Sequence, residues 1–401
     1  MPEKVYKYVI VGGGRAGASA VQGIREIDAS GSILVVGLEG HLPYNRPPLT
    51  KELWFGTQKV EDVFVDSRDF YDRNGVKVLE ETRIKGIDLS QRTAADAKGK
   101  TYRFEKLLIA TGGVPRPLPI PGGDLEGLIY YRYLDDYTKL RGEAVAGRKA
   151  LVIGGGFIGS EIAAALALNK VEATLLFPEK HLCSRVFPAS LGQAMNAYYE
   201  GQGVKIVSED KPASLERREG RFLVRTAGKA ALEADIVVAG IGIRPETGLA
   251  EAAGLRTDDG IVVDAQLQTS APGIFAAGDA ARFPHHALGV MTRIEHWDNA
   301  LSQGKQAGRN MAGAGEPFTY MPYFFSDLFK FGYEAVGEID PRLEIFADWQ
   351  KEFDTGSIYY LKEGRVRGVM NCNLWGKLAP AREIILKSSK VGPADLKGAI
   401  R

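Results

Sequence analysis

Two glycine clusters carry the clearest chemical signal in the chain. Gly12-x-Gly14-x-x-Gly17 and Gly154-x-Gly156-x-x-Gly159 each follow an apolar run and open a run of small residues. In such a turn the first glycine permits the tight passage from strand to helix and the second lets the backbone approach a pyrophosphate. The third lets the helix pack on the sheet with its N-terminus facing the phosphates. A lone GxGxxG is weak, because an ordinary glycine turn looks the same. Here each is followed by an acid: Glu39 lies 22 residues beyond Gly17 and Glu179 lies 20 beyond Gly159. That is near the ~20-residue spacing at which a carboxylate holds a ribose 2′-hydroxyl. Two dinucleotides are expected. A 2′-phosphate facing Glu179 would meet a repulsion of ~4 kcal/mol per charge pair at about 4 Å and an effective dielectric of about 20, so NADH is expected over NADPH, a preference that Lys180 softens.

Two dinucleotide sites in one chain are best explained as one tightly held flavin and one diffusible nicotinamide, since hydride transfer needs donor and acceptor rings in contact. The glycine turns alone do not say which is which. Gly278-Asp279 follows a buried run, where an aspartate either caps the next turn or hydrogen-bonds a polyol such as ribityl.

The elements that must position these residues form a repeat. KYVIVGGGRAGASA from Lys7 and KALVIGGGFIGSEIAAAL from Lys149 share strand, glycine turn and helix, and each continues into a second apolar strand, Ser32–Val36 and Ala173–Phe177. Parallel βαβ units follow. The run Leu107–Ile109 leads through Ala110-Thr111-Gly112-Gly113 into the prolines at 115, 117, 119 and 121, a stiff exit from the first domain. The runs Asp235–Gly242 and Gly273–Asp279 suggest a return to it, and the aromatic-rich composition from residue 316 suggests a further unit. The expected fold class is α/β: two Rossmann-like domains, the first discontinuous (1–115 and 245–315), the second at 116–244, and a C-terminal α+β domain at 316–401.

Composition narrows the function. At 401 residues, with 45% hydrophobic and 25% charged residues, the chain is an ordinary globular protein. Its 48 glycines are about 12% of the chain, against ~7% on average. Fifty-one basic and 50 acidic side chains give a formal charge of +1, so no nucleic-acid partner is expected. Cys183 and Cys372 are the only cysteines, which leaves no metal cluster or disulfide framework and suggests a reducing cytoplasm. No run approaches a membrane span. His285-His286 reads as a solvated loop, and the basic segment Lys85, Arg92, Lys98, Lys100, Arg103 and Lys106 reads as a solvated strand face in preference to a docking site for an acidic carrier.

Taken together, VGGGRAGASA, LPYNRPPLTKEL, LLIATGGVPRPLPIPG, LVIGGGFIGSEIAAAL, IFAAGDAA and RIEHWDNALSQGKQAGRNM resemble the FAD-dependent pyridine-nucleotide reductases of the ferredoxin-reductase and apoptosis-inducing-factor type, over roughly residues 6 to 335. The resemblance implies FAD on the first turn, Gly12, Gly14 and Gly17, and NAD(H) on the second, Gly154, Gly156 and Gly159. It places Arg46 and Lys51 beside the flavin, Asp279 on the ribityl chain, Phe325 on the flavin face, and Glu295, His296 and Trp297 before a helix from about Asn299 that faces the flavin N1–O2 edge. It extends the FAD set to Arg83, Ala110, Thr111, Gly112, Arg116 and Gly278, and the NAD set to Ile158, Glu179 and Gly242. Lys51 and Glu161 would pair near the flavin N5, with Phe157 as the gate that nicotinamide displaces. Relatives place the FAD-ribose acid where this chain has Leu38, with the carboxylate one residue on at Glu39. Disulfide reductases need a cysteine facing the flavin, and Tyr44–Leu53 has none, which argues against thiol–disulfide substrates.

The resemblance implies an NADH-dependent flavoprotein oxidoreductase. It would pass hydride from NADH to FAD and then electrons to ferredoxin, rubredoxin, a quinone or oxygen, with a homodimer as one candidate assembly. The alternative is an apoptosis-inducing-factor-like, redox-responsive interaction protein with slow turnover.

Overall fold

The computed structural model describes residues 5–387 and 389–401. The chain forms two compact units. The first comprises the chain up to Asn45, Val60–Val114 and Arg244–Tyr323; the second comprises Arg46–Lys59, Pro115–Ile243 and Phe324–Arg401.

The first unit is built on a parallel sheet in the order Val76–Leu79, Ile33–Val36, Val5–Val11, Thr101–Ile109, with Ile274–Ala276 added beside the last. The inner strands are apolar throughout because both faces are covered, as the all-buried Ile33–Val36 shows. The strands Ile84–Asp88 and Thr93–Asp96 extend the sheet antiparallel from the early part of Thr101–Ile109. Helix Arg15–Ile27 packs against helix Trp297–Met311 at backbone contact. A Cβ on Gly304 would sit 2.2 Å from the Ala16 carbonyl oxygen, one on Gly308 2.2 Å from that of Ala20, and one on Gly23 2.0 Å from that of Lys305. Trp297–Met311 begins two residues earlier than the sequence suggests, with His296 as its N-cap.

The second unit contains a parallel sheet ordered Lys205–Val207, Glu172–Leu176, Lys149–Ile153, Ile236–Ala239, Ile129–Tyr130, with helix Phe157–Leu168 and a three-stranded antiparallel sheet, Pro212–Arg218, Arg221–Thr226 and Ala231–Ala234. It also holds the C-terminal five-stranded sheet, ordered Tyr323–Leu328, Phe331–Gly337, Arg365–Cys372, Thr355–Lys362, Glu344–Lys351, against which helix Leu378–Lys387 packs. The fold is thus the α/β arrangement with an α+β C-terminal part read from the sequence. The segment Arg46–Lys59 belongs with the second unit, although its position in the chain suggests the first.

One local reading changes. His285 is no solvated loop residue: it is buried on strand Ala281–His285, stacks on Phe283 with ring centroids 6.0 Å apart, and accepts from the Leu288 amide at 3.3 Å. Strand alternation points it inward, while His286 is exposed. The basic segment is the solvated face expected: Lys85, Arg92, Lys98, Lys100 and Arg103 are exposed along Ile84–Asp88, the start of Thr101–Ile109 and the turns between the strands. Arg103 registers with Val5, six residues before Val11, which places it roughly 20 Å from the glycine turn at ~3.3 Å per residue.

Candidate active site: two glycine turns and a buried ion pair

The two turns are built on one hydrogen-bond plan. The Gly12 amide donates to Val36 O and that of Gly154 to Leu176 O, both at 2.9 Å. Gly37 donates to Leu79 O as Phe177 does to Val207 O, and Ala110 to Val11 O as Gly240 does to Ile153 O. Gly12 has φ +133° and a Cβ there would lie 2.0 Å from the Ala110 oxygen; Gly154 has φ +115° and its Cβ would lie 2.5 Å from the Gly240 oxygen. Only glycine meets both demands. A Cβ on Gly17 would lie 2.1 Å from the Gly12 oxygen and one on Gly159 1.8 Å from the Gly154 oxygen, whereas Gly14 and Gly156 face open space.

Helices Arg15–Ile27 and Phe157–Leu168 have no side-chain N-cap bond and no acid in the first turn. An uncapped helix N-terminus behind a glycine cradle is the donor set a pyrophosphate requires. These residues therefore fit two dinucleotides. The duplication also aligns the acids. The Glu39 carbonyl accepts from the Glu81 amide as that of Glu179 does from Glu209, both at 3.0 Å. Each acid follows its strand end, Val36 or Leu176, by three residues. Leu38 is 49% exposed, and Glu39, half-buried, accepts from the Tyr44 hydroxyl. The carboxylate one residue beyond the usual place thus occupies the position of Glu179 in the repeat.

Around the first turn the structure gathers Ala110, Thr111, Gly112, Gly278, Asp279, Glu295, His296 and Trp297 into the same unit. Thr111 donates to Glu246 O at 2.7 Å, and the Gln303 side chain accepts from the Gly278 amide at 3.0 Å. Arg293, which the sequence reading missed, joins two of these residues: it donates to Asp279 O at 3.2 Å and pairs with Glu295 at 2.5 Å. Burial works against its charge, but Glu295 and Asp259 outweigh that and raise its pKa. Burial also pushes the His296 imidazole down to about 4, with Asp279 opposing weakly, so it is neutral at pH 7. Trp297 donates to Asn45 Oδ1 at 2.7 Å and lies 5.4 Å beneath the Arg15 guanidinium. Arg83 belongs to this unit but is exposed.

The remaining candidates fall in the second unit. Arg46 donates to Arg132 O at 2.8 Å and covers Tyr133, and Arg116 binds Ile243 O at 2.9 Å through Nε and Gly242 O at 3.0 Å through its amide. Gly242 has φ +94° and faces open space. Glu161 and Lys51, both 4% exposed, meet at 2.7 Å. Thr50 donates to Glu161 Oε2 at 2.5 Å, and Ser326, 0% exposed, donates to Oε1 at 2.5 Å. Phe325 faces Lys51 at 5.3 Å, while its neighbour Phe324 meets Phe157 at 5.4 Å. Sequence reasoning missed Thr50 and Ser326: small hydroxyl side chains carry no pattern of their own, and Ser326 is 165 residues from its partner.

A model of the family described as pyridine nucleotide-disulphide oxidoreductase matches residues 6–304. The chain belongs to that family. This reductase is 34% identical to apoptosis-inducing factor 1, mitochondrial, of Dictyostelium discoideum, over 95% of this chain and 78% of that protein. It is 31% identical to peroxisomal monodehydroascorbate reductase 4 of Arabidopsis thaliana, over 98% and 83%. Among solved structures it is similar to a chain of the covalent putidaredoxin reductase–putidaredoxin complex, with a TM-score of 0.92, 30% identity, and 98% and 95% of the two chains covered. It is an NADH-dependent flavoprotein oxidoreductase of the FAD- and NAD(H)-binding kind. Despite the family's name, the stretch Tyr44–Leu53 holds no cysteine. Both thiols of this chain are free and buried, and burial raises their pKa values, that of Cys183 to about 12. Among the described residues no group of three or more side chains is arranged to hold a metal, and no helix is long and apolar enough to cross a membrane.

Proposed function

We propose that this reductase takes hydride from NADH at the Lys51–Glu161 pair and passes electrons to a small iron–sulfur protein of the ferredoxin type, in the cytoplasm. The observation that carries the reading is this buried pair, held by two hydroxyls in the unit that contains the second glycine turn. When bound, FAD supplies the two-electron centre between a hydride donor and a one-electron acceptor. The chain supplies the rest. Gly12, Gly14 and Gly17 with their helix hold the FAD pyrophosphate, and Gly154, Gly156 and Gly159 that of NAD(H). Glu39 and Glu179 receive the ribose hydroxyls, and Glu179 disfavours a 2′-phosphate. Lys51 and Glu161 together add no net charge, so they orient the nicotinamide end without stabilising one redox state by field alone. Phe157, in the first helical turn, covers the nicotinamide position. With His296 neutral, the N-terminus of Trp297–Met311 and the guanidinium of Arg15 over Trp297 supply the positive potential there.

Similarity to putidaredoxin reductase along nearly its whole length supports the protein acceptor. The test is anaerobic reduction by NADH, followed by mixing with a ferredoxin-type protein, a quinone, monodehydroascorbate or oxygen while flavin absorbance is recorded. Fast reoxidation by the iron–sulfur protein is expected; its absence, with fast reoxidation by a small molecule, overturns this acceptor. The similarity to apoptosis-inducing factor favours one second reading, a redox-responsive interaction protein. That reading requires a long-lived NADH-reduced state and an NADH-dependent change of size in solution.

A further inference from the structure

We propose that Ser326, on the strand Tyr323–Leu328, is a positioning residue for the nicotinamide end of the NAD(H) site and acts through Glu161. The inference rests on the reading of Lys51–Glu161 given above. A carboxylate offers about four acceptor positions, and three donors meet this one: Lys51 and Ser326 at Oε1, at 2.7 and 2.5 Å, and Thr50 at Oε2, at 2.5 Å. All four residues are at most 4% exposed, so water cannot replace a lost donor without repacking. Lysine's ammonium is a compact charge on a flexible stem and sets no plane by itself. The hydroxyls arrive from opposite sides in the chain, residue 50 and residue 326, and fix the carboxylate's rotation. The ammonium then follows, held between Oε1 and the face of Phe325.

A second observation ties this serine to the site. The strand that carries Ser326 also carries Phe325 against Lys51 and Phe324 against Phe157. Three consecutive residues of the C-terminal sheet therefore touch the three side chains assigned to the nicotinamide end. Strand alternation alone would send only every second side chain to one face. A purely structural serine in the same sheet offers a contrast: Ser357, 1% exposed, donates to Asn371 Oδ1 at 2.9 Å and touches none of them.

The experiment compares S326A, S326T and the control S357A as holoenzymes, together with K51M and the double variant S326A/K51M. In S326A the rate constant of flavin reduction at saturating NADH is expected to fall about tenfold, the order of one lost hydrogen bond to a charged group. Its affinity for NAD+ should weaken about fivefold by calorimetry, while affinity for ADP-ribose, which lacks nicotinamide, stays unchanged. S326T should recover most of the loss, S357A should show none, and adding S326A to K51M should cost nothing more. If S326A matches wild type in both rate and NAD+ affinity, or loses ADP-ribose affinity equally, or adds its full loss to K51M, the positioning role is overturned. If K51M itself reduces at the wild-type rate, the failure belongs to the Lys51–Glu161 reading instead.

Discussion

The two glycine turns share their backbone hydrogen bonds nearly residue for residue, yet their surroundings differ. The first helix is clasped by Trp297–Met311 through Gly23, Gly304 and Gly308, which admit backbone-to-backbone contact, and Arg15 stands at its first position over Trp297. The second helix presents Phe157 at the same position and leaves Ile158 38% exposed. The sheet edge differs too. Gly37 comes close to Gly13 in the first turn, whereas the Phe177 ring covers Gly155 in the second. One backbone plan is thus repeated, with closer packing around the first helix than around the second. The proposed assignment, a resident FAD at the first turn and a visiting NADH at the second, calls for such a difference.

The comparison breaks most sharply at its glycines. G12A should abolish FAD retention and give colourless protein, since its Cβ would press on the Ala110 carbonyl. G154A should stay yellow but lose NADH affinity by at least about a hundredfold. Flavin absorbance of the purified variants and NADH titration decide this, and a yellow G12A protein would show that the first turn is not the FAD site. Next in size, K51M and E161Q should each slow flavin reduction by about a hundredfold without bleaching the resting colour, as stopped-flow traces would show. Each leaves one buried charge of the pair without its partner.

A smaller effect sharpens the nucleotide assignment. E179A should narrow the preference for NADH over NADPH by about tenfold in kcat/KM, and E39A should not change it. Equal effects of the two would dissolve the distinction between the turns. The smallest prediction concerns acid stability. The folded-state pKa of His296 lies near 4, below the ordinary value of about 6.5. Its neutral form thus contributes stability that is complete above ~6.5 and lost as pH falls toward 4. Because part of the residue reaches solvent, the effect is discounted to about 1 kcal/mol. H296N should flatten the change of denaturant midpoint between pH 6.5 and 4 relative to wild type.

The glycine turns, their strands and the acids Glu39 and Glu179 were legible in the sequence because they are local. A turn needing φ above +100° and a helix starting three residues later are written within about 30 positions. The repeat carried further still, since the first half predicts the geometry of the second down to the carbonyls of Glu39 and Glu179. What pairs Lys51 with Glu161 was read only through resemblance, and Ser326 and Thr50 were not read at all. His285 was misplaced because its burial depends on the strand it joins.

By itself, the sequence determined the two glycine turns and the α/β class, because steric limits on glycine and short-range periodicity act along the chain. Tertiary structure alone decided that Arg46–Lys59 joins the second unit, and that residues 50 and 326 join Lys51 on the Glu161 carboxylate. Bringing together residues more than a hundred positions apart is governed by how apolar faces bury against one another, a property of the whole fold that no window of sequence contains.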